Sequence, residues 1–146
     1  MRSEKGTMTN PADYDPRYLT GIIHFNRHDF FEAHEVWEDL WHDTAGPDRR
    51  FFQGLIQAAV AVYHAGNGNA RGARRLFLSG RRYLSSYPQC HLGLNVGEFW
   101  AALERALVEL LPDPPVDGAQ LRAEHVPAIA LHPGPTAWPA APDPGR

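Results

Sequence analysis

Residues 51–70 contain no charged side chain and are apolar on nearly every side of a helix. A helix of this kind is normally surrounded by other elements, because a surface helix carries polar and charged residues on one face. Its most apolar part, 51–65, is too short to span a bilayer and contains two glutamines. The segment therefore predicts the central helix of a soluble helical domain, and it argues against membrane insertion.

Four further helices are predicted from apolar residues at helical spacing and from capping residues. The predicted helices cover 16–26, 30–42, 47–65, 70–85 and 95–111. Asp29 with Glu32, and Asn95 with Glu98, have the spacing of capping boxes. No stretch alternates with period two, so no substantial sheet is expected. The predicted fold class is all-α, a bundle of four or five helices in which the second and third form an antiparallel pair.

The chain is predicted to have one domain, because 146 residues bury one core but not two. Residues 1–12 are predicted to be a flexible leader, 13–111 the helical domain, and 112–146 an extended tail with nine of the thirteen prolines. Val126, Ile129 and Leu131 predict that part of the tail lies along the helices, and the last ten or so residues are expected to be disordered. Trp138 is expected either to dock on the bundle or to contact another chain.

The net charge and the cysteine content indicate which classes of partner and which cellular compartment suit the chain. The formal net charge of −3 gives no general attraction to nucleic acid or anionic lipid. The single cysteine, Cys90, excludes an intrachain disulfide and suits a reducing compartment. The first ten residues lack the apolar stretch of a secretory signal. These features predict a cytoplasmic protein, and the large apolar share of a small bundle predicts a homodimer.

The second predicted helix gathers polar and aromatic residues on one side. A helical wheel places His34, Trp37 and Trp41 together, with Glu38 beside His34 and with Glu35 and His42 at the edge. A carboxylate next to two tryptophans needs partners, and His34 and Glu38 are spaced to pair.

The third predicted helix carries one narrow polar stripe. Gln53, Gln57 and His64 project within about 40° of one another on the helical wheel. The opposite flank holds Gly54, Ala58 and Ala61, small residues that let another helix approach closely.

These segments resemble a known family. The run 25–41, which contains His34-Glu35, Trp37-Glu38 and Trp41, is followed by Phe52-Gln53-Gly54, His64, Gly68-Asn69 and Gly72-Ala73. Together they resemble the bacterial and archaeal family called domain of unknown function 309, over about residues 16–85, and the match is specific at His-Glu-x-x-Trp-Glu-x-x-Trp. The resemblance implies a small helical bundle and brings no agreed activity. The chain departs from it at His28, where the family's turn glycine is expected, and a left-handed backbone costs more with histidine.

Two interpretations of the polar and aromatic residues on the second and third predicted helices need no metal. It is either a buried hydrogen-bond network that fixes helix packing, or a small-molecule pocket walled by Trp37, Trp41 and Tyr63. The candidate ligand-binding residues are His34, Glu35, Trp37, Glu38, Trp41, His42, Gln53, Gln57, Tyr63 and His64.

A divalent metal site is the third interpretation. His34 and Glu38 have the i, i+4 spacing of the zinc-protease helix, with His64 as a third ligand. Glu35 is then the candidate catalytic base, and the implied activity is metal-dependent hydrolysis. The leading hypothesis is nevertheless a binding or scaffolding module, with its reaction or ligand left unknown.

Two further groups of residues suggest other kinds of site. The fourth helix carries Arg71, Arg74, Arg75, Arg81 and Arg82 on one half, which suits an anionic partner. The seven acidic residues of 29–48 offer pairing within the protein or between subunits instead, and the acidic net charge argues against nucleic acid. Cys90 beside His91 lacks the activating third group of a catalytic thiol.

Overall fold

The computed structural model describes residues 12–141. In this range the α-helices are α1 (Pro16–Asn26), α2 (Phe30–His42), α3 (Asp48–Gly66), α4 (Ala70–Leu84) and α5 (Val96–Ala106). An antiparallel hairpin joins β1 (Cys90–His91) to β2 (Leu94–Asn95), and a single 3-10 turn covers Ala123–His125. The predicted all-α bundle is confirmed, because each strand has only two residues.

The uncharged segment forms the centre of the bundle, as predicted. α3 packs against α2 on one side and α4 on the other, and α1 packs against α2. A Cβ atom at Gly54 would lie 2.6 Å from Cγ of Leu84, so the absence of a side chain there lets α4 approach closely. Within residues 12–141, no helix is both long enough and apolar enough to cross a bilayer.

Side-chain caps begin three of the helices. Asp15 accepts a hydrogen bond from the backbone N–H of Arg17, and Asn69 and Asn95 do the same for Gly72 and Glu98. Each cap satisfies a backbone donor that the first helical turn leaves without a partner.

The capping box predicted at Asp29 is wrong. The Asp29 side chain makes no capping hydrogen bond to α2. Its carboxylate lies 3.7 Å from Nε of Arg27 and 3.9 Å from Nδ1 of His24. The guanidinium of Arg27, just after α1, therefore attracts the carboxylate away from the backbone of α2. Between the two helices, His28 has φ of 64°, the left-handed conformation expected at the family's glycine position.

The predicted end of α5 at Leu111 is also wrong, because the helix ends at Ala106. Beyond Ala106 the backbone continues in turns, and the amide of Leu110 donates a hydrogen bond of 2.8 Å to the carbonyl of Leu107. Leu107 and Leu110 are still buried, so their spacing signalled burial rather than a continuing helix.

The β1–β2 hairpin was missed by the period-two criterion. Its strands are too short to show alternation. Leu92 and Gly93 form its turn with φ of 47° and 79°, and the backbone carbonyl of Gly93 accepts a hydrogen bond from the amide of His132.

The tail packs against the bundle over part of its length. Val126, Ile129 and Leu131 are buried in the core, whereas Trp138 is 45% exposed. Asn26 binds both backbone groups of Ile129, with Nδ2 donating to the carbonyl at 3.0 Å and Oδ1 accepting from the amide at 2.7 Å. Residues 1–11 of the predicted leader and 142–146 of the predicted disordered end lie outside the described residues.

Candidate functional site

One outward face of α2 carries several of the predicted site residues. Phe31, His34, Glu35, Glu38 and His42 follow one another at helical spacing, so they share that face. Phe31 is 43% exposed although its side chain is large and apolar, and Glu35, Glu38 and His42 are exposed. An aromatic side chain in this setting is a candidate contact for a partner.

The antiparallel packing of α2 and α3 brings a second aromatic residue to this face. Tyr63, near the end of α3, is 39% exposed, and its ring centroid lies 5.4 Å from that of Phe31. The rings of His34 and His64 extend the group, with centroids 5.2 Å from Phe31 and 6.1 Å from Tyr63. We call Phe31, His34, Tyr63 and His64 the aromatic strip.

Hydrogen bonds orient both imidazoles of the aromatic strip. Nδ1 of His34 lies 3.1 Å from the carbonyl oxygen of Phe31, so Nδ1 carries a proton and donates it. Nε2 of the same ring then lies 3.8 Å from a carboxylate oxygen of Glu38. Nδ2 of Asn69 lies 3.3 Å from Nδ1 of His64, while Oδ1 of Asn69 caps α4. An amide nitrogen can only donate, so neutral His64 carries its proton on Nε2.

The two tryptophans do not wall a pocket beside these residues. Trp37 is fully buried, and its indole Nε1 donates to the carbonyl oxygen of Tyr18 on α1 at 3.2 Å. Trp41 is half-buried, with the guanidinium of Arg49 3.8 Å from the centre of one of its rings. Both side chains pack within the domain.

The predicted polar network between α2 and α3 is not formed. Gln53 and Gln57 are half-buried, and Cβ of Gln57 lies on the side of α3 that meets Gly80 of α4. Oε1 of Gln57 has no hydrogen-bond partner. In the part of the chain that the structure describes, no hydrogen bond joins a polar side chain of α2 to one of α3.

The three predicted metal ligands do not converge. His34 and Glu38 lie together, but His64 is engaged with Asn69, and Glu35 is exposed. Over residues 12–141, no three His, Cys, Asp or Glu side chains are arranged to hold a metal ion. The geometry therefore gives the hydrolase interpretation no assembled site.

Cys90 and His91 do not form a catalytic pair. Neighbouring residues of a strand point to opposite faces, and Nε2 of His91 lies 2.8 Å from Oδ1 of Asp48. Cys90 is exposed and unpaired.

Phe31 is the site residue that the sequence analysis missed. It precedes His34 and Glu35 by three and four positions, which is the spacing of helix neighbours, but the helical wheel alone assigned importance to the tryptophans. The signal was a large apolar residue on the polar side of α2.

The fold and this face define a small helical bundle with an exposed aromatic surface bordered by acids. Residues 18–76, which include the whole aromatic strip, match the family described as "Domain of unknown function (DUF309)", so the resemblance to this family is confirmed. The chain is 35% identical over 88 residues to "Uncharacterized protein YpuF" of Bacillus subtilis (strain 168), covering 58% of this chain and 51% of that protein.

A second relative is an "Uncharacterized protein" of Aquifex aeolicus (strain VF5). It is 30% identical over 84 residues, which are 57% of this chain and 25% of that protein. The chain thus spans about half of the Bacillus protein and a quarter of the Aquifex protein. Neither the family description nor these names assign an activity, so the function remains unknown.

Proposed function

We propose that the protein is a binding module that recognises a segment of another protein through the aromatic strip. The observation that carries this proposal is the contact between Phe31 and Tyr63, two exposed aromatic rings 5.4 Å apart on neighbouring helices. Single exposed apolar residues are ordinary, but adjacent exposed aromatic residues with a polar border are typical of interaction surfaces.

Charge around the strip indicates the chemistry of the partner. Glu35 and Glu38 are exposed on the face of α2 that carries Phe31, and residues 29–48 contain no Lys or Arg. A phosphate backbone would be repelled by this surface, whereas Lys and Arg of a protein would be attracted. The partner segment therefore presents an apolar side chain to Phe31 and Tyr63, with basic residues on either side of it.

A second copy of this chain is a different occupant of the same face. In a two-fold dimer the same patch of both subunits meets, so the acidic residues of one α2 would face those of the other. Like charges in contact oppose such a dimer. A different protein with basic residues fits the face better, and the homodimer predicted from composition stays a prediction.

The exposed free thiol of Cys90 supports a cytoplasmic location for this interaction. A reducing compartment keeps such a thiol from forming mixed disulfides. The partner is accordingly expected among cytoplasmic proteins.

Photo-crosslinking tests the proposal in the cells from which the protein comes. A photoreactive phenylalanine analogue replaces Phe31 in one variant of the full chain and Val116 in a matched control, since Val116 is 50% exposed and lies in the tail. The expected result is an adduct at position 31 only, to a segment with an apolar residue between basic ones. Equal adducts at both positions, an adduct to a second copy of the chain, or no adduct at position 31 would overturn the proposal.

A further inference from the structure

Arginines of α4 line a groove that is separate from the aromatic strip. Arg71, Arg74, Arg75 and Arg82 form one wall, and Leu110 with residues 112–115 forms the other. The groove has a volume of about 960 Å³. We call it the arginine groove.

The positive charge of the arginine groove is not neutralised by the protein. In the described range 12–141, no carboxylate lies within ion-pair distance of Arg71, Arg75 or Arg82. The lining includes one carboxylate, that of Asp113, against four guanidinium groups. Since α2 and α4 pack against different sides of α3, the acids of α2 do not provide the intramolecular pairing that the sequence had suggested.

Clustering these arginines has a cost that an anion would relieve. Arg71 lies three and four residues before Arg74 and Arg75, and like charges at these spacings destabilise a helix. Nε of Arg74 is held by the carbonyl oxygen of Leu111 at 2.8 Å, which fixes this side chain between the two walls. Arginine binds phosphate strongly, because its planar group donates two parallel hydrogen bonds to phosphate oxygens.

The shape of the groove indicates the size of the ligand. Arg71 and Arg82 are eleven residues apart, about 16 Å along a helix, so an elongated anion contacts the set better than a single phosphate. The volume lies in the range of small-molecule sites, roughly 300–1,000 Å³. Leu110 and three prolines give the opposite wall an apolar surface, and Asp113 is the one charged residue there, so this wall suits the organic part of a ligand rather than a second phosphate.

We propose that the arginine groove binds a nucleoside diphosphate or triphosphate, with its phosphates on Arg71, Arg75 and Arg82 and its organic part against Leu110 and the prolines. This proposal does not depend on the proposed function, because the aromatic strip lies on α2 and α3.

Calorimetric titration of the full chain tests the proposal with ATP, ADP, pyrophosphate, inorganic phosphate and a short single-stranded oligonucleotide. The variant is Arg75→Gln/Arg82→Gln, which removes two exposed charges and leaves Arg74 in place. The matched control is Arg105→Gln, an exposed arginine of α5 outside the groove. Circular dichroism establishes that all three proteins are folded.

The expected result is saturable binding of ATP and ADP that weakens about tenfold or more in the double variant and not in the control. Higher salt should weaken it as well. Equal affinity for inorganic phosphate and ATP would overturn the proposal as well, because the organic part of the nucleotide would then contribute nothing to binding. Absence of nucleotide binding, equal binding by the double variant, or binding of the oligonucleotide alone would overturn the proposal.

Discussion

The indole nitrogen of Trp37 donates a hydrogen bond of 3.2 Å to the backbone carbonyl of Tyr18, and this contact joins α2 to α1. Trp37 fits there because Gly21 has no side chain. A Cβ atom at that position would lie 2.0 Å from Nε1 of Trp37. Trp37, the first tryptophan of the run 25–41, is thus a packing residue, and it helps to hold α2 with the aromatic strip facing outward.

Gly21→Ala should destabilise the domain. The added methyl group overlaps the indole and forces Trp37 to shift, which typically costs about 1–3 kcal/mol in a packed core. Gly97→Ala is the control, because the nearest atom to its Cβ would be 3.8 Å away, and alanine in place of glycine favours a helix by up to about 1 kcal/mol. Urea unfolding measures both changes. Similar effects of the two substitutions would contradict the role given to Gly21.

Asn26→Ala should loosen the tail. The side chain of Asn26 satisfies both backbone groups of Ile129, which is only 4% exposed. Leaving buried backbone groups without partners costs about 1–3 kcal/mol, and the tail should become more sensitive to limited proteolysis. Asn67→Ala serves as the control, since Asn67 is exposed and its side chain makes no hydrogen bond. An unchanged cleavage rate in Asn26→Ala would show that this contact does not hold the tail.

Stability should fall at alkaline pH because of Tyr18. Burial raises the pKa of Tyr18 well above its ordinary value, with smaller effects of neighbouring Tyr14 and Asp48 in the same direction. The hydroxyl also donates to the carbonyl of Leu92 at 2.9 Å. The folded state keeps the proton while the unfolded chain loses it above about pH 10. The stabilisation is therefore complete below that pH and is lost above it, by about 1.4 kcal/mol per pH unit.

Unfolding by urea at a series of pH values separates this effect from others. Burial also raises the pKa of Tyr14 and Tyr87, so the wild-type curve includes their contributions. The Tyr18→Phe curve should fall less steeply than the wild-type curve. Parallel curves for Tyr18→Phe and wild type would refute the assignment.

Local signals in the sequence predicted most of the helices. Proline at the start of α1 and the glycine near the end of α3 have direct conformational effects, and the bounds of α1 and α2 were predicted as observed. Two errors arose where tertiary contacts determine the local structure. Leu107 and Leu110 keep the apolar spacing of a helix although they lie in turns, because both are buried. Asp29 contacts the side chain of Arg27 instead of capping α2.

The candidate site was less predictable than the fold. A helical wheel shows which residues of one helix share a face, but the register between α2 and α3 decides that Phe31 meets Tyr63. That register depends on the connection between the helices and on the packing of α1, neither of which is readable from the two segments alone. The cavity for Trp37 likewise depends on Gly21 of a different helix.

Alanine substitutions in the aromatic strip test whether this face binds the partner. Once crosslinking has identified the partner segment, its affinity is measured by calorimetry for wild type, Phe31→Ala, Tyr63→Ala and the control Val108→Ala. Val108 is 50% exposed but lies beyond α5. If the strip binds the partner, each strip variant should lose affinity by about tenfold or more with unchanged folding, and the control should lose none. Wild-type affinity in Phe31→Ala and Tyr63→Ala would contradict a binding function of this face.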